Sequence, residues 1–323
     1  MRRVIGYVLF TLGLTLLFLV PLMRLYVLPR VEKAPTDVYN VSISDGVGRY
    51  FSISEGFAYV GPRPVRNTSI SKGDPEASEA AGVEAGDEEN VAVIDRFSHT
   101  VDLTAGDIEI DQVRYVMNRR TGEAIDCCGA DPPQEGHTLK FPFNVERDGS
   151  YLFWDSTTEQ AFPAEYVRDE VIEGLDTYVF TVDVPATKIG DLNLPGKVAG
   201  QPDVPSVPTE RMYSATYTLW VQTYTGAILK GAQVVDQWAQ DPATGALVAR
   251  LAHLSLENTP ATVANTASEI NDKIVQLNIV KFILPVYGLI AGILLTVIGF
   301  VLIRPPRQAA VRSGPELAAA RAG

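Results

Sequence analysis

Histidine and cysteine are scarce in this chain: three histidines and two cysteines among 323 residues. His99, His137 and His253 sit in unrelated segments, and there is no HExxH, no CxxC, no glycine-rich phosphate loop and no GxSxG elbow. These absences argue against a metal centre, a phosphate cradle and a serine-nucleophile hydrolase. The expectation is a protein that is not an enzyme and carries no cofactor. Carboxylates abound, but abundance in an acidic chain does not supply the poised pair of a glycosidase. Basic charge is also in short supply: residues 31–303 carry 19 basic and 38 acidic side chains, a formal −19. Such a surface repels phosphate backbones and anionic headgroups, which argues against nucleic acid as a partner and against a polybasic grip on a membrane.

Charge is missing altogether from two stretches. Residues 4–23 (VIGYVLFTLGLTLLFLVPLM) and 282–303 (FILPVYGLIAGILLTVIGFVLI) are uncharged. At about 1.5 Å per residue, each is long enough as a helix to cross a hydrocarbon core of roughly 30 Å. Arg2 and Arg3 precede the first; Arg304, Arg307, Arg312 and Arg321 follow the second, with only Glu316 against them. Basic flanks stay in the cytoplasm. The expected topology is therefore a two-pass protein of the cytoplasmic membrane with both termini cytoplasmic and the region between the spans outside. A cleaved signal peptide is the rival reading of the first span, but residues 22–26 (LMRLY) offer no small-residue cleavage pattern.

Between the spans, apolar residues recur with a period of two, as in half-buried strands. VYNVSIS (38–44), KFPFNVE (140–146), DTYVFTVDV (176–184) and YSATYTLWV (213–221) alternate in this way, and 91–103, 108–117, 150–155, 227–238 and 246–256 fit extended runs. Turn pairs such as Asp45-Gly46, Thr121-Gly122, Asp148-Gly149, Thr225-Gly226 and Thr244-Gly245 punctuate them. The fold class expected is mainly β: an extracytoplasmic antiparallel β-barrel or curved sheet with an internal cavity and a C-terminal stalk helix, flanked by two transmembrane helices. In domain terms this gives an anchor at 1–30, a β domain at 31–258, a stalk at 259–281, a second span at 282–303 and a tail at 304–323. Residues 72–90 hold seven carboxylates and hardly a large apolar side chain, so they read as a disordered acidic loop. Residues 186–211, rich in proline and glycine, read as a long irregular connection. From Thr259-Pro260 the period changes: Val263, Ala267, Ile270, Ile274, Leu277 and Lys281 recur at helical spacing, the stalk helix that leads into the second span.

Both cysteines are neighbours, Cys127 and Cys128. Adjacent Cα atoms lie about 3.8 Å apart, below the usual disulfide range, and metal chelation needs further ligands that the chain lacks. A vicinal bridge, two free thiols and a bridge between chains remain; an oxidising exterior and the following Gly129 favour the vicinal bridge, as a local staple.

The motifs YVMNRRTGEAID, FPFNVERDGSYLFWD, VIEGLDTYVF and TLWVQTYTGAIL between two such spans resemble an actinobacterial envelope family labelled porin PorA-like. The resemblance covers nearly the whole chain. It implies a β-barrel-like body with internal cavities and a role in building lipomannan and lipoarabinomannan, and it supplies no catalytic residues. A membrane-spanning barrel presents an unbroken apolar band to lipid, whereas Pro142, Pro163, Pro185 and the acidic stretch interrupt the strands here. Pore formation therefore ranks behind binding. The leading expectation is a cavity for a membrane lipid or glycolipid lined by Phe141, Phe143, Phe153, Trp154, Tyr178, Phe180, Tyr217 and Trp220. The alternative is a scaffold that recruits envelope glycosyltransferases. Trp220 stands apart, since it points to the face of Ser214, Thr216, Thr218 and Gln222. Oligomeric state is left open.

Overall fold

A computed structural model of the chain describes residues 1–304, so the expected basic tail lies outside the described residues apart from Arg304. The chain divides into two units: residues 1–30 with the chain from Asn278 onward, and Val31–Leu277.

In the first unit, α1 (Arg2–Leu22) runs through a π-type turn (Met23–Val27) into the short α2 (Leu28–Val31), and a second π-type turn (Ile279–Ile283) precedes the last helix, Leu284–Ile303. The helix near each terminus is long and apolar enough to cross a membrane. They pack antiparallel, because glycines let their backbones meet. A methyl group on Gly6 would lie 3.0 Å from Ile303 and Leu302, and one on Gly13 would overlap Thr296. Gly292 and Gly299 answer from the other helix with the same seven-residue spacing. Between membrane helices, close approach at small residues replaces the hydrophobic drive that lipid removes. Phe10 and Phe300 meet with ring centroids 6.4 Å apart. Cysteines introduced as Phe10→Cys and Phe300→Cys are expected to cross-link, and adding Gly13→Leu should abolish the link. Cross-linking that persists with Gly13→Leu would dismiss the glycine contact as the cause of pairing.

The second unit is one antiparallel sheet of ten strands: β1 (Tyr39–Ser52), β2 (Ala58–Gly73), β3 (Val91–Asp102), β4 (Gly106–Asn118), β5 (Tyr151–Asp155), β6 (Gln160–Ile172), β7 (Leu175–Pro195), β8 (Ser206–Gln222), β9 (Ile228–Gln240) and β10 (Leu247–Asn258). Their order is β4-β3-β2-β1-β10-β9-β8-β7-β6-β5. Two meanders are thus joined where the first strand meets the last, with Ser44 opposite Asn258 and Gly48 opposite Leu254. The sheet curls into a half-barrel. Gly48 sits at a tight point of the curl, since a methyl group there would come within 2.7 Å of both Leu254 and Val65. The edge strands β4 and β5 are bridged by the intervening chain. Ile125 N–H donates to Val116 O, and Arg114 and Asp131 exchange both backbone bonds on the β4 side. On the β5 side His137 N–H donates to Leu152 O and Trp154 N–H to His137 O, while Ala124 N–H donates to Gly136 O between the two arms.

Three expectations are corrected. Residues 72–90 are not a disordered loop: they contain α3 (Pro75–Ala85). Asp74 caps its first turn by accepting from Ala77 N–H at 2.9 Å, Pro75 opens it, and Gly86 ends it in the left-handed conformation. Small side chains make its buried face: Ala77 and Ala81 lie against Val91, Val93 and Val116. The carboxylates occupy the other side of a helix that needed no large apolar residue to dock. Residues 186–211 are largely paired, Thr187–Pro195 against Ser206–Tyr213, with only the tip irregular. Residues 140–146 are not a strand. They cross beside the β8–β9 turn, where Phe141 N–H donates to Gly226 O and Asn144 and Val145 to Tyr224 and Thr223; Asn144 takes a positive φ, which breaks the extended run.

The helix after β10, α4 (Pro260–Asn278), begins with Thr262 bonded to both backbone groups of Ile43. Its stripe of Val263, Ala267, Ile270 and Ile274 packs on Leu229, Ile172 and Leu175. The last helix is then α5 (Leu284–Ile303).

Candidate functional site

The eight aromatic residues expected around a ligand do not share one place. Five of them, Phe141, Phe153, Tyr178, Phe180 and Tyr217, gather with Val182, Leu219 and Val221. Phe141 and Phe180 stack at 5.2 Å and are buried completely. They form core rather than a lining that a ligand could reach, each contributing about 2–3 kcal/mol by burial. Trp154 lies in a separate cluster with Ala92, Ile94, Val113, Tyr115 and Met117, where it ties β5 to β3 and β4 across the curl. Phe143 sits against Tyr224 and under the Lys140 ammonium, 4.5 Å from its ring. Trp220 is on the outer face, paired with Val179 and Lys230, and the Lys230 ammonium lies 4.4 Å over its ring.

The interior is instead divided into two walls. On one, Leu254, Val235, Ala215, Tyr213 and Val184 pack together. On the other, three cross-strand rows of β1 to β4 present small polar groups to the same interior. Ser44, Asn67, Thr100 and Glu109 stand in register, as do Ser42, Ser69, Ser98 and Asp111, and then Asn40, Ser71, Arg96 and Val113. Their side is fixed by alternation from Ile94, which packs on Trp154, and from Gly48, which lies under Leu254. Asn67 Nδ2 donates to Ser98 Oγ at 2.8 Å and to Thr100 Oγ1 at 2.9 Å. Arg96 Nε donates to Ser69 Oγ at 2.7 Å, and Asn258 Nδ2 to Ser42 and Ser44 at 3.0 Å each. Ser42, Ser44, Asn67, Ser98 and Arg96 remain half-exposed, so solvent reaches this wall. The Glu109 carboxyl is pushed up by burial, with Arg211 on β8 drawing it partly back. The β4 and β8 sides are thus within electrostatic reach of one another.

Two buried polar groups hold this interior in shape. Asp155, at the β5–β6 turn, accepts from Thr158 N–H and Oγ1 at 2.7 Å, Tyr213 Oη at 3.1 Å and Tyr217 Oη at 2.5 Å. The two phenols are 2.9 Å apart, and burial pushes both upward from the ordinary tyrosine range. Lys140 is 8% exposed, and its Nζ donates to Arg120 O at 3.1 Å with no carboxylate of the described residues beside it. Burial lowers this amine to about 7. Neither group figured among the residues singled out by sequence, because a lone Asp or Lys in a strand-rich acidic chain carries no pattern.

Cys127 and Cys128 are bonded to each other. The pair packs with Ala77, Ile125 and Ala130 on the cluster formed by α3 and β3, at the tip of the chain that bridges the sheet edges. Cys128 and Gly129 take consecutive positive φ values, 62° and 85°, which reverse the chain there. Among the described residues no group of three or more histidine, cysteine, aspartate or glutamate side chains is placed to hold a metal ion.

No curated protein matches the chain. A family model does: the model described as Porin PorA matches residues 5–301, from the first apolar helix to near the end of the second. The two terminal helices fit a membrane-anchored protein, the strand-rich unit between them has the β character expected of that family, and the chain belongs to the porin PorA family.

Proposed function

We propose that the protein is a membrane-anchored envelope component that binds a lipid or glycolipid on the inner face of its half-barrel and performs no chemistry on it. The observation that carries this reading is the division of the interior. A half-exposed wall of hydroxyl, amide and guanidinium groups suits the polyhydroxylated head of a glycolipid, while Leu254, Val235 and Ala215 on the other wall are themselves buried as core. In this reading the site moves from the aromatic cluster to the rows of β1 to β4. Lipoglycan assembly is the setting, and envelope glycosyltransferases are the partners to which a held lipid would be presented.

Native mass spectrometry of the detergent-solubilised chain is expected to show lipid adducts. Asn67→Leu with Ser98→Val should lower the bound fraction about tenfold, as the loss of two to three polar contacts implies, while the melting temperature changes little. A spectrum free of adducts, or adducts indifferent to the double substitution, would end the proposal.

A second reading draws on one observation. On β1 to β4 the polar residues face inward while Tyr39, Val41, Phe97 and Ile110 are exposed outward, the alternation of a pore-forming barrel. The same outer face carries the Arg66–Asp45 and Arg114–Asp95 ion pairs, which are costly against lipid. Single-channel conductance in planar bilayers decides between the two.

A further inference from the structure

The β1–β2 and β9–β10 hairpins end beside each other, remote from Tyr39 and Asn258, where the chain enters and leaves the sheet. Tyr50 pairs with Ala252, and beyond that point β1 runs on to Ser52 while β10 reaches back to Leu247. Both tips expose aliphatic side chains. Ile53 is 70% and Leu247 57% exposed. Gly56 and Phe57 take consecutive positive φ values, 78° and 63°, a turn that leaves Phe57 exposed with its ring 6.0 Å from Phe51. Below the tips, half-buried or partly exposed aromatics form a girdle on the outer face: Phe51 pairs with Tyr59, and Trp238 pairs with Arg250.

Two cations complete the patch. Arg49 and Arg250 are exposed and form no ion pair among the described residues. Both are near the Tyr59 phenol, where they oppose the upward push of burial, while Asp236, bonded to His253, adds a smaller upward push. In a region of formal charge −19, the other strand arginines of the outer face, Arg66, Arg114 and Arg168, have carboxylate partners. The tips also carry two carboxylates, Glu55 held by Arg63 and Asp241 held by the N–H and hydroxyl groups of its own turn; charges more than about 8 Å away are screened at physiological ionic strength, which leaves Arg49 and Arg250 as the cations a ligand at the tips can engage.

We infer that the paired hairpin tips dock onto an anionic lipid surface, with Ile53, Phe57 and Leu247 entering the apolar layer and Arg49 and Arg250 meeting the headgroups. Projecting aliphatic residues above an aromatic girdle fit the interfacial layer of a bilayer, where tyrosine and tryptophan gather at headgroup depth. A protein partner would be better matched by a recessed centre that buries an anchor residue, and here the apolar residues stand out on two separate turns. This surface lies on the outer face and at the hairpin tips, away from the inner-face rows, and does not depend on what they bind.

The test uses the full chain in nanodiscs of phosphatidylcholine, mixed with vesicles of phosphatidylcholine alone or with added phosphatidylglycerol, and read by flotation. Flotation is expected with the anionic vesicles only, weakening as salt is raised. Arg49→Gln with Arg250→Gln should lower binding by about fivefold per arginine, and Arg49→Lys with Arg250→Lys should restore most of it. Ile53→Ser with Leu247→Ser should abolish flotation while the melting temperature and the native lipid adducts stay unchanged. Absence of flotation with the wild-type chain, or equal flotation of the serine variant, would overturn the inference. So would retention of envelope proteins by the wild-type chain but not the serine variant in the absence of any vesicle binding, which would assign the patch to a protein partner.

Discussion

Replacing Lys140 by methionine is expected to stabilise the protein by about 3–5 kcal/mol at pH 6, one of the two largest effects of a single substitution anticipated here. The ammonium is buried, bonded among the described residues only to the Arg120 carbonyl, and faces the Phe143 ring with none of their carboxylates to offset its desolvation. Its folded-state pKa of about 7 lies below the ordinary 10.5. Between those values the unfolded chain holds a proton that the folded chain has released. Stability of the wild-type protein therefore rises with pH across that window, by about 1.4 kcal/mol per unit, and the lysine's penalty is fully present below it. The Phe143 ring returns up to about 2 kcal/mol of the cost, which sets the lower end of the range. Denaturation midpoints of both proteins at intervals from pH 6 to 10 check this. Parallel pH profiles would show that the amine is better solvated than its position implies.

Asp155→Ala is expected to cost about 3–5 kcal/mol, and roughly 10 °C of melting temperature in a unit of this size. The carboxylate is 1% exposed and accepts every polar hydrogen aimed at it from Thr158, Tyr213 and Tyr217. Alanine leaves the Thr158 donors and at least one phenol without the carboxylate that accepts from them. It also removes a side chain that links the β5–β6 turn to β8 across the interior. Tyr213→Phe and Tyr217→Phe should each cost only about 1 kcal/mol, because the remaining phenol keeps its bond to the carboxylate. The raised tyrosines add a second signature. The neutral phenols are the form the fold favours, so this stabilisation is complete below about pH 10 and is lost as pH climbs through their folded values. An Asp155→Ala loss below 1 kcal/mol would rule out the strut.

Alternation in the sequence identified two faces of each strand but not which face is inside. In β8 the aromatic side, Tyr213, Tyr217 and Leu219, is inward; in β1 the apolar side, Tyr39 and Val41, is outward and the serines are inward. The difference comes from curvature: Gly46 and Gly48 bring β2 and β10 together over β1, leaving little room inside for large side chains. An aromatic count therefore pointed to the packed end of the interior, and the polar rows were passed over because serine and asparagine signal solvent in a linear reading. The apolar spans and the stripe of α4 were legible, since each depends on spacing within one segment. The helix α3 was present in its cap, its opening proline and its terminal glycine, but these signals were outweighed by a composition too poor in large apolar residues. Lys140 acquires its burial from β8–β9 turn contacts far along the chain, which no local pattern records.

The seam between β1 and β10 has a consequence for biogenesis. The first strand of the sheet is bordered on one side by the last, and α1 likewise waits for α5. While the chain is being synthesised, β1 to β4 can form a meander, but the free edge of β1 stays uncovered until the rest of the β unit has been made. Folding is thus timed by the arrival of the C-terminal third. Over that interval the serine- and glycine-rich inner side of β1 presents little apolar surface to mispair, and a truncated chain ending before β10 is left with an open edge on both meanders.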